Sequence, residues 1–172
     1  MTEDKRIPWD VYFIDLAKMV SVRSTCIRRK VGAVAVNSQH RILGTGYNGA
    51  PSGLEHCTKD TCIRTIRNIP SGTQLDLCKA IHAEANLVLQ LGSQLKGAYV
   101  YCTTQPCTSC LKLLMGAGIE RLIWMNAYQD TYSQKLMSEY FSYIPDMTDT
   151  ELCTKLNLCP DYKYAFKSPL IH

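Results

Sequence analysis

The sequence lacks the two features that would direct a chain into or across a membrane. It contains no uninterrupted run of about 18 apolar residues, which is the shortest stretch usually considered for a transmembrane helix. Residues 1–6 are mostly charged, and no apolar signal-peptide core follows them. We therefore expect a soluble protein without a membrane partner, located in the cytoplasm, or in the host cytoplasm if a phage or virus encodes it.

Strong charge of one sign is also missing. The formal net charge is +4 at pH 7, and charged residues make up 20% of the chain. Proteins that bind nucleic acid through their charge carry denser basic patches, so nucleic acid is not the expected partner. A nucleotide phosphate would account for the small positive excess. The glycines match neither the dinucleotide-binding nor the P-loop spacing.

The length and the cysteines limit the architecture. With 172 residues, of which 46% are hydrophobic, the chain can bury one sizeable core, and we predict a single domain over residues 1–172. Nine cysteines could indicate a secreted disulfide scaffold. Because no signal peptide precedes them and several show ligand spacing, reduced thiols and metal binding are the better interpretation.

Hydrophobic periodicity predicts a chain of helices and strands. Helices are predicted at residues 8–22, 61–67, 82–91, 108–115, 132–141 and 148–156. Strands are predicted at residues 31–36, 42–47, 98–102, 121–125 and 162–166, the first two as a hairpin and the last as an edge strand. Because strands and helices alternate after the hairpin, neighbouring strands are expected to be parallel. Residues 54–79, called the excursion below, are predicted to be long and irregular, which is typical of segments with a function or a fixed anchor.

Two short motifs carry side chains that suit a metal. His82 opens a His-Ala-Glu triplet, and Cys107 and Cys110 lie in the run Pro-Cys-Thr-Ser-Cys. One imidazole and two thiolates favour a tetrahedral zinc whose fourth position is left to water, which is a catalytic rather than a structural arrangement. If each motif opens a helix, the positive helix ends favour thiolate over thiol. Glu84 would then lie close enough to accept a proton from water.

A second set of cysteines surrounds the excursion. Its members are Cys26, Cys57, Cys62 and Cys78. Four thiolates could hold a structural zinc that fixes the excursion against the loop after the first helix, with His56 as the substitute for one cysteine. The alternative that stays open is a set of isolated buried thiols. Cys102, Cys153 and Cys159 are interpreted as packing residues.

The two metal motifs occur with Val-Gly-Ala-Val at residues 31–34 and Gly-Tyr-Asn-Gly-Ala-Pro-Ser-Gly at residues 46–53. Together they resemble the deoxycytidylate (dCMP) deaminases of the cytidine deaminase-like superfamily, whose zinc motifs are H-x-E and P-C-x-x-C. The resemblance covers a catalytic core at about 7–130 and leaves a C-terminal helical extension at about 131–172. It implies a three-layer α/β/α fold with a five-stranded mixed sheet flanked by helices. The extra cysteines are similar to those of some bacterial and phage members.

The resemblance also implies an activity, which is the zinc-dependent hydrolysis of dCMP to dUMP and ammonia, supplying dUMP for thymidylate synthesis. Glu84 would be the catalytic acid and base. Asn48 is expected to contact the deoxyribose or the base, and the backbone N–H of Ala83 the C2 carbonyl. Arg23 and Tyr128 are expected at the 5′-phosphate. Arg28 and Lys30 are the alternatives for that phosphate.

Regulation and assembly follow from the resemblance as further expectations. Family members form homohexamers that dCTP activates, with Mg²⁺, and dTTP inhibits, and the glycine loop at residues 46–53 takes part in binding the regulatory nucleotide. Two other functions stay open: a deaminase acting on cytosine or adenine in tRNA or single-stranded DNA, and a zinc-binding module without catalysis. Glu84 argues against the second, because an inert module needs no carboxylate at that position.

Overall fold

The computed structural model describes residues 6–128, 130–145, 147–148, 154 and 158–167. The helices with described bounds are α1 Trp9–Ser21, α2 Ile63–Ile66, α3 Ala83–Leu91, α4 Thr108–Gly116 and α5 Thr131–Tyr140. The strands are β1 Gly32–Val36, β2 Ile42–Tyr47, β3 Tyr99–Thr104, β4 Arg121–Asn126 and β5 Lys163–Phe166. These ten elements match the predicted ones to within a few residues. The helix predicted at 148–156 lies largely outside the described residues.

The five strands form one mixed sheet in the order β2-β1-β3-β4-β5. The predicted hairpin of β1 and β2 and the edge position of β5 are confirmed. The expectation of parallel neighbours is confirmed for β3 and β4, which α4 connects. β1 runs antiparallel to β3, and β5 runs antiparallel to β4. The connection from β4 to β5 contains α5 and more than twenty further residues, so it is long enough to return the chain in the opposite direction.

Helices cover both faces of the sheet, which confirms the predicted three-layer α/β/α fold. β3 is buried at every position because its side chains alternate between the two faces. Tyr99 and Tyr101 pack with α1, whereas Val100 and Cys102 pack with α3 and α4 in a second cluster. No helix within the described residues is long and apolar enough to cross a bilayer.

Glycine allows two helices to approach the sheet closely. A Cβ atom at Gly32 would overlap the carbonyl oxygen of Ala17 on α1, and one at Gly46 would overlap that of Ala83. The contact at Gly46 sets the start of α3 directly against β2. It therefore fixes the position of His82, the residue that precedes α3.

Candidate active site

The three predicted metal ligands lie at the N-terminal ends of two neighbouring helices. His82 is the N-cap residue of α3, Cys107 is the N-cap residue of α4, and Cys110 lies in the first turn of α4. The segment before His82 is held by two backbone hydrogen bonds between Ile81 and Gly49, of 2.8 and 3.1 Å. The glycine loop at residues 46–53 therefore holds the segment that leads into α3.

The ligand atoms have the spacing that zinc requires. The Nδ1 atom of His82 lies 3.5 Å from Cys107 Sγ and 3.4 Å from Cys110 Sγ. Tetrahedral zinc with Zn–N of about 2.0 Å and Zn–S of about 2.3 Å would separate the nitrogen and sulfur by about 3.5 Å. Within the described part of the chain, this is the one group of three or more potential ligand atoms lying within 4.8 Å of one another. The side chains present therefore fit zinc.

The electrostatics of the three ligands favour an ionised sulfur at Cys107 and a neutral thiol at Cys110. A hydrogen bond from Cys110 lowers the pKa of Cys107 to about 4. The same hydrogen bond, together with burial, raises the pKa of Cys110. The hydrogen bond to Cys107 raises the pKa of His82. The surroundings thus favour a thiolate at Cys107, and binding a metal would release the protons that the other ligands hold.

Glu84 lies beside these ligands in the first turn of α3. Its side chain is 4% exposed, and burial raises the pKa of its carboxyl group. A hydrogen bond with Cys110 and the charge of His82 act in the opposite direction. A buried carboxyl group whose pKa is raised is suited to take up a proton and return it.

A carboxylate that the sequence analysis missed fastens the start of α4. Asp130 accepts hydrogen bonds from the backbone N–H of Thr108, at 2.8 Å, and from that of Ser133, at 3.0 Å. It is the N-cap residue of α5, so it links the first turns of two helices next to Cys107. The N-cap preference for Asp before the predicted helix at 132–141 is the signal that could have identified it.

A pocket of about 350 Å³ opens beside the ligands, which is within the usual range for small-molecule sites. Three of the four predicted substrate-contact residues line it, namely Asn48, Ala83 and Tyr128. Arg23 is exposed and is not among the lining residues, so its contact with a phosphate stays a prediction without support from this geometry. Three arginines line the pocket, namely Arg28, which was an alternative for the phosphate contact, Arg29 and Arg64.

The side-chain amide of Asn48 already uses most of its hydrogen-bonding capacity within the protein. Its Oδ1 atom accepts hydrogen bonds from Ser24 Oγ, at 2.7 Å, and from the N–H of Val31, at 2.8 Å. Its Nδ2 atom donates to the carbonyl oxygen of Arg29 at 2.8 Å. The side chain therefore holds the loop between α1 and β1 against the pocket, and the second Nδ2 proton is what it can offer to a ligand.

The second cysteine set is only partly brought together. Cys57, Cys62 and Cys78 line a cavity of about 290 Å³, while Cys26 lies with Cys78 on the wall of the larger pocket. These sulfurs do not meet the spacing found for the first three ligands. Burial raises the pKa of Cys57, and hydrogen bonds from Thr65 lower that of Cys62 despite its burial. His56 is exposed, and a zinc at this set stays a prediction.

Comparisons with known proteins agree with this geometry. The family model described as the cytidine and deoxycytidylate deaminase zinc-binding region matches residues 7–126. The deoxycytidylate deaminase of Mycobacterium phage D29 is 42% identical over 125 residues, which cover 69% of this chain and 95% of that protein. The deoxycytidylate deaminase of Schizosaccharomyces pombe is 35% identical over 147 residues, covering 81% of this chain but 45% of the yeast protein.

A solved structure gives the same result. The dCMP deaminase of cyanophage S-TIM5, crystallised with dCMP and dUMP, aligns with a TM-score of 0.61 and 25% identity over 81% of this chain and 95% of the other. This chain belongs to the cytidine and deoxycytidylate deaminase zinc-binding family.

Proposed function

We propose that this chain catalyses the hydrolytic deamination of dCMP to dUMP and ammonia. One observation carries the proposal: a buried glutamate, Glu84, lies next to three zinc-suited ligands on the wall of a pocket large enough for a nucleotide. The names of the phage and yeast relatives and the ligands in the S-TIM5 structure support dCMP as the substrate.

His82, Cys107 and Cys110 would hold the zinc ion. When bound, zinc supplies Lewis acidity that lowers the pKa of a coordinated water toward about 7. The chain itself holds the three ligands at the N-terminal ends of two helices. The pocket beside these ligands stays open to the substrate. Three protein ligands with a free fourth position are the arrangement of catalytic rather than structural zinc.

Glu84 performs the proton transfers in this proposal. It accepts a proton from the attacking water and delivers it to N3 of the cytosine ring. A C–O bond forms at C4, the C4–N bond breaks, and a second transfer through the same carboxyl group allows the amino group to leave as ammonia. The burial that raises the pKa of Glu84 allows the side chain to hold the proton between the two transfers.

Positioning of the substrate is assigned to neighbouring groups. The backbone N–H of Ala83 lies in the first turn of α3, where it has no partner within the helix, and it would donate to the C2 carbonyl. The second Nδ2 proton of Asn48 would donate to the deoxyribose or the base. Tyr128 lines the pocket and would contact the phosphate. Arg23 remains the less favoured candidate, because it is exposed and outside the pocket wall.

A structural zinc held by Cys26, Cys57, Cys62 and Cys78 is the second part of the proposal. Three of these cysteines share one cavity, and four thiolates are a common structural zinc set. A shared zinc would require these sulfurs to lie closer together than they do here. Metal analysis of the purified chain should give two zinc ions per molecule. A value of one would support the alternative of isolated thiols.

Regulation and assembly are the third part. We expect a homohexamer that dCTP with Mg²⁺ activates and dTTP inhibits, as the resemblance to the dCMP deaminases implies. The hydrogen bonds between Gly49 and Ile81 would connect a nucleotide bound at the glycine loop to the residue before His82. Velocity at low dCMP, measured with and without dCTP and magnesium, tests the regulation. Light scattering during gel filtration tests the hexamer. Unchanged velocity and sigmoidicity would remove the regulatory part alone.

A panel of substrates tests the central proposal. Ammonia release is measured with dCMP, deoxycytidine, dCTP and a cytidine-containing oligonucleotide at matched concentrations. We expect dCMP to give the highest kcat/KM. Preference for the oligonucleotide would favour the nucleic-acid deaminase interpretation instead, and no release from any of them would favour the non-catalytic zinc module.

A further inference from the structure

Three arginine side chains line the pocket beside the metal centre. Arg28 and Arg29 lie in the loop between α1 and β1, and Arg64 lies on α2 within the excursion. Glu84 is the one carboxylate among the described residues that line this pocket. Fixed positive charge concentrated in a concave site attracts an anionic ligand. The distribution of charge therefore indicates where the anionic end of a nucleotide would lie.

Arg64 is the buried member of the three. It is 8% exposed, whereas Arg28 and Arg29 are exposed side chains. One Nη2 proton is donated to the carbonyl oxygen of Pro70 at 3.0 Å, and the buried Nε atom has no hydrogen-bond partner within the described residues. A buried N–H group without a partner is costly, and such groups are rare in folded proteins. Arg64 therefore carries an unpartnered donor on a side chain whose residue lines the pocket.

The backbone of the excursion holds two of these guanidinium groups in place. Arg28 Nη2 donates to the carbonyl oxygen of Ile69 at 2.7 Å, and Arg64 donates to that of the next residue, Pro70. Consecutive carbonyl groups of one turn thus fix two positive charges before any ligand binds. Preorganised donors lose little entropy when an anion arrives, which favours tight and selective binding.

The third arginine is positioned by an aromatic ring. The guanidinium carbon of Arg29 lies 5.8 Å from the centre of the Tyr128 ring. Burial and Cys107 raise the pKa of Tyr128, and the positive charges of Arg64 and Arg29 oppose that rise. Arg29 and Arg64 therefore act on the same part of the pocket, although they are far apart in sequence.

We propose that Arg64 anchors the subsite for the 5′-phosphate of the substrate, with Arg28 and Arg29 completing it. The assignment rests on the proposed deamination of a nucleotide and adds the residue that selects nucleotide over nucleoside. A guanidinium group can donate two parallel hydrogen bonds to one phosphate, which suits the fork of Arg64. The excursion then has a function beyond covering the pocket, because it carries the anchor.

Arg64→Gln tests the assignment through the split between KM and kcat. Losing a charged hydrogen-bond donor to a phosphate weakens binding by about 10- to 100-fold. We expect the KM for dCMP to rise by that factor while kcat at saturation changes by less than about threefold, because the contact is made equally before and during the reaction. Turnover of deoxycytidine, which has no phosphate, should change by less than about twofold. Arg64→Lys keeps the positive charge but cannot donate two parallel hydrogen bonds, so its KM for dCMP should lie between those of the wild type and Arg64→Gln.

Arg67 provides a matched control. It lies at the C-terminal end of the same short helix, is exposed, and does not line the pocket. Arg67→Gln removes the same charge from the same element, so the wild-type KM for dCMP is expected. Zinc content measured for every variant identifies any general damage to the fold.

Several outcomes would overturn the assignment. Equal losses for dCMP and deoxycytidine in both Arg64 variants would show that Arg64 supports the nearby cysteine cavity, which it also lines, and not a phosphate. A rise in KM confined to Arg23→Gln would give the role to that residue. Normal dCMP kinetics in Arg64→Gln would remove this inference and leave the proposed function intact, whereas wild-type protein inactive on every nucleotide would remove both.

Discussion

Two groups of cysteines occur in this chain, and the fold treats them differently. Cys107 and Cys110 lie at the start of the nine-residue helix α4, which follows a buried strand. Their sulfur atoms and a ring nitrogen of His82 lie within 4.8 Å of one another. Cys57, Cys62 and Cys78 lie in the irregular excursion and line one cavity. Their sulfur atoms do not form a group within 4.8 Å of one another. The first group is positioned by regular secondary structure, and the second is positioned by loops.

The difference has a physical basis in how each backbone is held. The ends of α3 and α4 are fixed by close packing on the sheet, by the hydrogen bonds between Gly49 and Ile81, and by Asp130. The excursion is held by arginine side chains that donate to single carbonyl groups. A site on rigid elements can be complete before the metal binds, whereas a loop site gains part of its order from the metal.

Removing one sulfur from the helical group should have the largest effect. Cys107→Ser takes away a ligand that its surroundings hold as a thiolate with a pKa of about 4. Deamination of dCMP should fall by about 10⁴-fold or more, since the metal contributes several kcal/mol of transition-state stabilisation. Zinc analysis should show one ion fewer per chain. Full activity with that zinc absent would contradict the metal-dependent mechanism.

Glu84→Gln separates the metal from the proton transfers. The amide has nearly the same size as the carboxyl group but cannot carry a proton between water and the base, so kcat should fall by about 10²- to 10⁴-fold. Zinc content should be unchanged, because Glu84 is not one of the three ligands. Gln90→Glu is a suitable control on the same helix, since Gln90 is exposed and lies outside the pocket wall. Substantial deamination by Glu84→Gln would require another proton carrier.

The contrast between the two regions also explains what could be predicted from the sequence. The ligands on α4 are recognisable because a spacing of three residues places Cys107 and Cys110 on one helix face. The zinc motifs and the parallel pairing of β3 with β4 follow from such local patterns. No local pattern predicted the antiparallel direction of β5, because a long connection allows either direction.

Of the three arginines that line the pocket, Arg28 was predicted as an alternative phosphate contact, whereas Arg29 and Arg64 were not predicted. Arg29 and Arg64 line one pocket although they lie far apart in the sequence, and the carbonyl groups that accept hydrogen bonds from Arg28 and Arg64 have no sequence signature. Arg23 was the expected contact, yet its side chain is exposed beyond the end of α1. Asn48 was expected to serve the substrate, and most of its hydrogen-bonding capacity instead holds the neighbouring loop.

Cys57→Ser applies the same sulfur-to-oxygen change to the excursion. If the proposed second zinc is present, the variant should contain one zinc where the wild type contains two, and its unfolding free energy should fall by about 2 kcal/mol or more. The catalytic zinc and kcat should be retained within about threefold, because the helical group does not depend on this sulfur. Cys159→Ser is a control outside the set. Unchanged zinc content would identify these cysteines as isolated thiols.

The smallest expected effect concerns Asp130, which fastens the helical group. Asp130→Ala removes the N-cap acceptor of α5 and the partner of the Thr108 N–H, so unfolding free energy should fall by about 1 kcal/mol at pH 7. The hydrogen bonds from Thr108 and Ser133 lower the pKa of Asp130 although partial burial raises it. The carboxylate therefore stabilises the fold above the ordinary Asp pKa of 3.8, and this contribution disappears as the pH falls through the lower folded value.

Asp130→Asn isolates the charge from the cap, because asparagine is also a good N-cap residue. Urea unfolding in excess zinc should show a smaller loss than for alanine at pH 7. The difference between wild type and Asp130→Asn should be constant from pH 7 to about pH 5 and should shrink at lower pH, where the wild-type carboxyl group becomes protonated. A difference that grew with acidity would mean that the carboxyl group is held in its neutral form. The link that Asp130 makes between the first turns of α4 and α5 would then depend on a shared proton and not on a negative charge.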